Sequence, residues 1–123
     1  MKGLAEVTVS EHAGVPVVRL DGEVDLSNID EVRHAVFASA DAGHGCLVVD
    51  LTGTTYLDST AVRLLFDLAV RLQARRRRLR LVVSDATIVR RVLVLTKLDE
   101  SVPFDATVAD AIAHCSDPEE HES

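Results

Sequence analysis

Apolar and polar residues alternate over Ala5 to Val9, the period-two pattern of a half-exposed strand. His12-Ala13-Gly14 reads as a turn, and Val15 to Leu20 as a second strand with Val15, Val17, Val18 and Leu20 apolar. So short a turn predicts an antiparallel hairpin, and Pro16, lacking an N–H, predicts that the second strand enters at an edge. After Asp21-Gly22-Glu23-Val24-Asp25 the period changes. Ile29, Val32, Val36 and Ala40 recur at helical spacing, with Ser27 or Asn28 as N-cap and Asp30 and Glu31 in the first turn, where negative charge suits the helix dipole. Gly43 and Gly45 end that helix.

Cys46 to Leu51 is a continuous apolar run between turn residues, the mark of a strand covered on both faces. A Thr-Gly loop then leads to a helix whose stripe is Ala61, Leu64, Leu65, Leu68 and Leu72. Arg63, Asp67 and Arg71 lie opposite, with Asp67 and Arg71 spaced for an ion pair. Leu79 to Val83 is another strand. Ser84-Asp85 is expected to cap a helix carrying Ile88, Val89, Val92 and Leu95 inward, and Val102-Pro103-Phe104 a short edge strand. Thr107 caps a last helix with Val108, Ile112 and Ala113 inward, and Asp110 completes a capping-box-like pair. Strand–helix–strand crossovers in this order predict an α/β fold. They require parallel pairing in the middle of one mixed sheet of four to five strands.

The chain has 123 residues, 47% of them hydrophobic, which suits one domain with a real core. No apolar run approaches the roughly 18 residues of a membrane helix, and MKGLAEVTVS lacks a signal-peptide core, so a cytoplasmic protein is expected. The net charge of −7 disfavours direct nucleic-acid binding. Four acids, Asp117, Glu119, Glu120 and Glu122, crowd the segment DPEEHES, and residues 115–123 are expected to form a disordered acidic tail. Opposing it is RRRRLR, Arg75 to Arg80, at a helix C-terminus where the dipole favours cations; an acidic partner or the tail itself is the other use for it. Cys46 and Cys115 are far apart in sequence and are expected to be reduced, partly buried thiols.

Ser59 and Thr60 stand at the start of the central helix, where unpaired N–H groups and a partial positive charge gather. A hydroxyl there caps the helix, accepts a phosphate, or acts as a nucleophile. The nucleophile is disfavoured: there is no G-x-S-x-G turn, and no histidine is placed as a base. Asp58 or Ser59 itself serves as the cap. Asp25, Asp50 and Asp58 are acids near strand ends, where closing a strand or holding a turn is the plainer role than acid–base work. His12, His34, His44, His114 and His121 make no zinc set; His44-Gly45-Cys46 is the only tight grouping. No metal or cofactor is expected.

Three segments resemble the STAS domain family, and within it the bacterial anti-sigma factor antagonists. Asp21-Gly22-Glu23-Val24-Asp25 is similar to the family's Gly-Glu-hydrophobic-Asp turn; DLTGTTYLDSTAVRLL resembles its signature ending in Asp-Ser-Ser/Thr at a helix start; ATIVRRVLVLTKLDESVPFDATVADAIA resembles its C-terminal part. The resemblance spans Ala5 to Ala113 and implies a STAS domain over residues 1–114, with helices mainly on one face of the sheet. It implies that Ser59 is phosphorylated by an anti-sigma factor serine kinase, with Thr60 a second candidate. It implies that the unphosphorylated form binds that kinase and releases a sigma factor, and that a PP2C-type phosphatase restores binding. ATP belongs to the kinase, so no cofactor and no enzyme activity are assigned to this chain, a monomer or weak dimer away from membranes. The implied contact surface is Asp25, Ser27, Asn28, Thr55, Tyr56, Asp58, Thr60, Ala61 and Arg63. Ala61 and Lys97 replace glycines usual in the family. Two alternatives stay open: a STAS scaffold or adaptor not switched at Ser59, and a small enzyme or ligand-binding domain using Asp25, Asp58 and Ser59.

Overall fold

The computed structural model describes residues 5–43 and 45–115. His44, His121 and the acidic segment beyond Cys115 lie outside the described residues. Strands β1 (Glu6–His12) and β2 (Val15–Val24) form the expected antiparallel hairpin, with Val7 opposite Leu20 and Val9 opposite Val18. Helix α1 (Ile29–Ala42) follows, then β3 (Cys46–Asp50), β4 (Thr54–Leu57), α2 (Ser59–Ala74), β5 (Arg78–Val82), α3 (Ile88–Leu95), a 3-10 turn (Leu98–Glu100), β6 (Phe104–Asp105) and α4 (Val108–Cys115). The sheet has six strands, in the order β1-β2-β3-β5-β6 with β4 also on β2, and every pairing after the hairpin is parallel.

That is one strand more than the pattern predicted. β4 is only four residues long, and its Thr54-Thr55 reads as loop; Thr54 is nonetheless buried, its hydroxyl donating to the Leu20 carbonyl at 2.6 Å. β2 is also longer than its apolar run, and it is not an edge strand. Pro16 sits before the β3 pairing begins at Val17, where a missing N–H is tolerated.

Alternation sorts the strand residues onto two faces. Val18, Leu20, Leu47, Val49, Leu79 and Leu81 face α1 and α2 in the main core, with Val36, Leu65, Leu68, Leu72 and Leu93. Val17, Val48 and Val82 face the other way and are covered by Ala111 of α4, with Val108, Ile112 and Cys115 packed around them. Three helices thus lie on the main-core side and one on the reverse. α1 and α2 are tied at their C-terminal ends, where Arg71 and Arg75 both donate to Asp41. Partial desolvation pushes the Asp41 carboxyl up, but the bonds from Arg71 and Arg75 outweigh it and hold the group below its ordinary value. The anticipated Asp67–Arg71 pair gives way to these crossings: Asp67 meets Arg33 of α1 at 3.4 Å instead.

Other details depart from the pattern. Thr87 caps α3 by accepting the Arg90 N–H, in place of Ser84-Asp85. Val89 and Leu93 are the buried residues of α3, while Ile88 (67%) and Leu95 (73%) are exposed. Ala113 points outward, and Ala111 takes the inward place in α4. Thr107 does cap α4, accepting the Asp110 N–H at 3.0 Å. The arginine run is more than a charged helix end: Arg80 is buried and pairs with buried Asp105 at 2.6 Å, and His114 joins Asp105 at 2.6 Å.

The cysteine expectation is overturned. Cys46 and Cys115 form a disulfide, their Cα atoms 5.8 Å apart. α4 crosses the reverse face and brings its last residue to the first residue of β3, a proximity that a sequence separation of 69 conceals. Helix α4 itself runs through Cys115.

Two predictions follow from these features. Loss of the cross-link in Cys115→Ser should lower stability by about 2–4 kcal/mol in urea unfolding. Reductant should move the parent chain toward the variant's midpoint and leave the variant unmoved; a parent indifferent to reductant would refute the bond. Lys97 takes the left-handed conformation, φ 68°, at the end of α3, which favours glycine. Lys97→Gly should therefore raise stability by about 1 kcal/mol, seen as a melting temperature a few degrees higher.

Candidate functional site

The site is built where β2 outruns β3. β3 pairs with Val17 to Arg19, and β4 then takes over the same edge of β2, with Gly22 opposite Thr54, Glu23 opposite Tyr56 and Val24 opposite Leu57. The register slips between Gly22 and Glu23, and Gly22 has φ 97°, so a residue with a β-carbon would be strained at this bend. Its N–H donates to the Gly53 carbonyl at 3.0 Å.

A polar cluster on the reverse face holds the loop between β3 and β4. Asp50, nearly buried, accepts from the Thr52 N–H at 2.9 Å, the Thr52 hydroxyl at 2.7 Å and Arg19 Nη1 at 3.2 Å. Arg19 Nε also donates to both oxygens of Asp21. The hydrogen bond to Asp21, with the charges of Asp21 and Asp50, raises the Arg19 pKa. A β-carbon on Gly53 would collide with the Asp21 carboxylate and the Arg19 guanidinium, so any larger residue there must displace this ion pair. Asp50 is thus a loop fastener, as expected.

Leu57 ends β4 and Asp58 caps α2. Its Oδ1 accepts the Ala61 N–H at 2.9 Å, and its Oδ2 accepts the Leu26 N–H at 3.0 Å. One carboxylate therefore joins the start of α2 to the loop between β2 and α1. That loop is fixed internally too. Asp25 Oδ1 accepts the Ser27 N–H and hydroxyl. Buried Asn28 donates from Nδ2 to the Glu23 carbonyl at 2.8 Å and accepts the Asp25 N–H at 3.1 Å. Asn28 is the N-cap residue of α1 by position, but its side chain is given to the loop.

Ser59 is the first residue of α2 and is exposed; Thr60 is half-exposed. Asp58 satisfies the Ala61 N–H with its side chain and the Val62 N–H with its carbonyl. The N–H groups of Ser59 and Thr60 are left at the helix start with no helical acceptor. Of the other residues expected at the contact surface, Ser27, Thr55 and Arg63 are exposed, and Tyr56 is 47% exposed. Ala61 is different: at 1% exposure its methyl points into the core, so it presents no side chain to a partner. Asn28 is equally hidden. Leu26, 73% exposed, lies within the loop from Asp25 to Asn28. Its tie to Asp58 runs through a backbone N–H, which leaves no mark in the sequence.

Asp25, Asp50 and Asp58 do not converge on a common point as paired catalytic acids would; each is committed to nearby N–H, hydroxyl or guanidinium groups. Neither the groove of about 810 Å³ beside β5 nor the hollow of about 480 Å³ on α3 is lined by Asp58 or Ser59. Among the described residues no three His, Cys, Asp or Glu are grouped to hold a metal, and no helix is long and apolar enough to cross a membrane.

The STAS domain model matches residues 6–111. The chain belongs to the STAS domain family. Solved structures agree with that assignment. An anti-sigma factor antagonist from Mycobacterium paratuberculosis is 27% identical, with a TM-score of 0.85 over 93% of this chain and 96% of that one. A putative anti-sigma factor antagonist from Thermotoga maritima is 19% identical, with a TM-score of 0.81 over 90% and 95%. The anti-sigma factor antagonist SpoIIAA in its unphosphorylated form is 19% identical, with a TM-score of 0.69 over 89% and 96%. The last two share the fold. No match was found among curated protein sequences. In this STAS domain the site's geometry reduces to a cap, Asp58, that braces the start of α2 and the loop after β2 at once.

That brace is measurable. Asp58→Ala removes the acceptor of two backbone N–H groups and should cost about 1–2 kcal/mol in urea unfolding. Asp58→Asn keeps a capping oxygen and should recover most of the loss. An alanine variant as stable as the parent would show that the bonds to Leu26 and Ala61 carry no weight.

Proposed function

We propose that this STAS domain is a cytoplasmic anti-sigma factor antagonist switched by phosphorylation at Ser59. The observation that carries the proposal is the placement of Ser59: an exposed hydroxyl on the first turn of α2, beside N–H groups that the Asp58 cap leaves unused. A phosphate there meets the positive end of the helix dipole, so the modified domain keeps its fold. It adds a charge of roughly −1.5 to −2 next to Asp58. That changes the surface a partner meets. SpoIIAA, of the same fold, is known in unphosphorylated and phosphorylated forms, which supports a fold that accepts the group.

In the proposed cycle the unphosphorylated protein binds an anti-sigma factor that is also a serine kinase, and a sigma factor is released. Leu26 and Tyr56 supply apolar contact and Ser27, Thr55, Thr60 and Arg63 a polar rim, while Asp25, Asn28 and Asp58 hold the loops that present them. Phosphorylation breaks the complex, and a PP2C-type phosphatase resets it. Burying a phosphate beside the Asp58 carboxylate at such an interface costs about 3 kcal/mol or more, around a hundredfold in affinity.

The test is direct. Incubation with candidate serine kinases and ATP should add one phosphate to the Ser59 peptide, read by mass spectrometry. In titrations against the same kinase, Ser59→Ala should bind like the parent and Ser59→Asp about a hundredfold more weakly. Equal affinities for the two variants would defeat the switch and favour a scaffold that binds without it.

A further inference from the structure

The Cys46–Cys115 bridge takes no part in the Ser59 site and holds a different piece of the molecule. Cys46 is the first residue of β3 and Cys115 the last of α4. The non-covalent hold on α4 is slight. Its eight residues fall short of the roughly 12 at which an isolated helix becomes stable. Ala111 is its buried residue, and Val108, Ile112 and Cys115 are partly covered against Val17, Val48 and Val82. α4 contributes nothing to the main core, which ends along the chain at Leu98 and Val102. The other ties are polar: the Thr107 cap at its start, and His114 on Asp105 at 2.6 Å, with the His114 side chain 48% exposed. The bridge itself is reachable from one side, since Cys46 is buried and Cys115 partly exposed.

We propose that the Cys46–Cys115 bridge is a reversible redox latch on α4, opened in the folded protein by a dithiol reductant. A thiolate of the dithiol attacks Cys115 Sγ, the S–S bond breaks, and Cys46 leaves as a thiolate that takes up a proton. The second thiol, once deprotonated, attacks the mixed disulfide and displaces the Cys115 thiolate, which is protonated in turn. Two electrons and two protons pass to the protein, and the reductant departs as its own disulfide. Arg78 favours the first step. Its Cα stands opposite Cys46 and its guanidinium donates to the Cys115 carbonyl, so a cation lies on the residues that carry the bridge, where the leaving thiolate forms. With the bridge open, α4 keeps only its few side-chain contacts and opens locally, uncovering Val17, Val48 and Val82, while α1, α2 and the strands stay packed. The Ser59 loops begin at the far end of β3, beyond Asp50, so the latch stands apart from the phosphorylation reading and does not depend on it.

The full chain is compared oxidised, reduced with dithiothreitol, and as Cys115→Ser, in native buffer, by thiol labelling and amide exchange. Two amides decide the matter. Ala111 donates to the Thr107 carbonyl within α4, and Leu51, 2% exposed, donates to the Val82 carbonyl and reports opening of the main core. Labelling of both cysteines should rise with dithiothreitol concentration and run ahead of Leu51 exchange. The protection of Ala111 relative to Leu51 should fall about tenfold or more on reduction, fall alike in Cys115→Ser, and return when the bridge is re-formed. Taking the ratio separates local release of α4 from the general loss of stability that any broken cross-link brings. Labelling no faster than Leu51 exchange would show a bond reduced only after unfolding and overturn the proposal. An Ala111 to Leu51 ratio unchanged or higher after reduction would overturn it equally, leaving the bridge a structural cross-link.

Discussion

Strand β2 is ten residues long and β3 only five, and the chain resolves the mismatch by looping out after Asp50 and then pairing again with β2, in the same parallel direction, as β4. Everything at the Ser59 end depends on that second pairing. It places Leu57 beside Val24, so the residue after Leu57 lies against the loop leaving β2. From there Asp58 caps α2 and reaches Leu26 with the same carboxylate. The Arg19–Asp21–Asp50 cluster and the close approach of Gly53 keep the turn tight enough for this to happen. A helix start, a loop and an exposed serine are thereby held by a few polar contacts above the buried Val24, Leu57 and Ala61.

The division of labour between the faces of the sheet follows from the same economy of elements. The main-core side carries most of the buried apolar volume, between α1, α2 and the strands. The reverse side has one short helix, a small cluster around Val17, Val48, Val82 and Ala111, and otherwise charge: Arg19, Asp50, Arg80 and Asp105. A buried ion pair such as Arg80–Asp105 is costly to break but adds little over an apolar pair, so it fixes where α4 and β6 sit more than it stabilises them.

Much of the fold could be read from pattern. The hairpin, the apolar stripes of α1 and α2 and the β3 run declared themselves because burial there follows strict periods. β4 did not, since four residues rich in threonine carry no period and their burial rests on one hydroxyl bonded to Leu20. The faces of α3 were misjudged because Ile88 and Leu95 are apolar yet exposed, and apolar residues outside the core are common. At the site, Asp58 and Ser59 were legible as cap and hydroxyl, and Ala61 as part of the buried stripe of α2, whereas the bond from Leu26 to Asp58 was not, because it runs through a backbone N–H.

The Cys46–Cys115 bond also gives the molecule a covalent topology. It closes everything from β3 to α4 into a ring, and leaves β1, β2 and α1 as an open arm folded onto it. Ser59 belongs to the ring and Leu26 to the arm, so the Asp58 carboxylate is a non-covalent clasp between two parts of a lasso. A single backbone cleavage within the ring frees nothing, because both pieces stay joined through sulfur. One within the loop at Asp25–Asn28 detaches the β1–β2 hairpin, and with it the central strand on which β3 and β4 both rest.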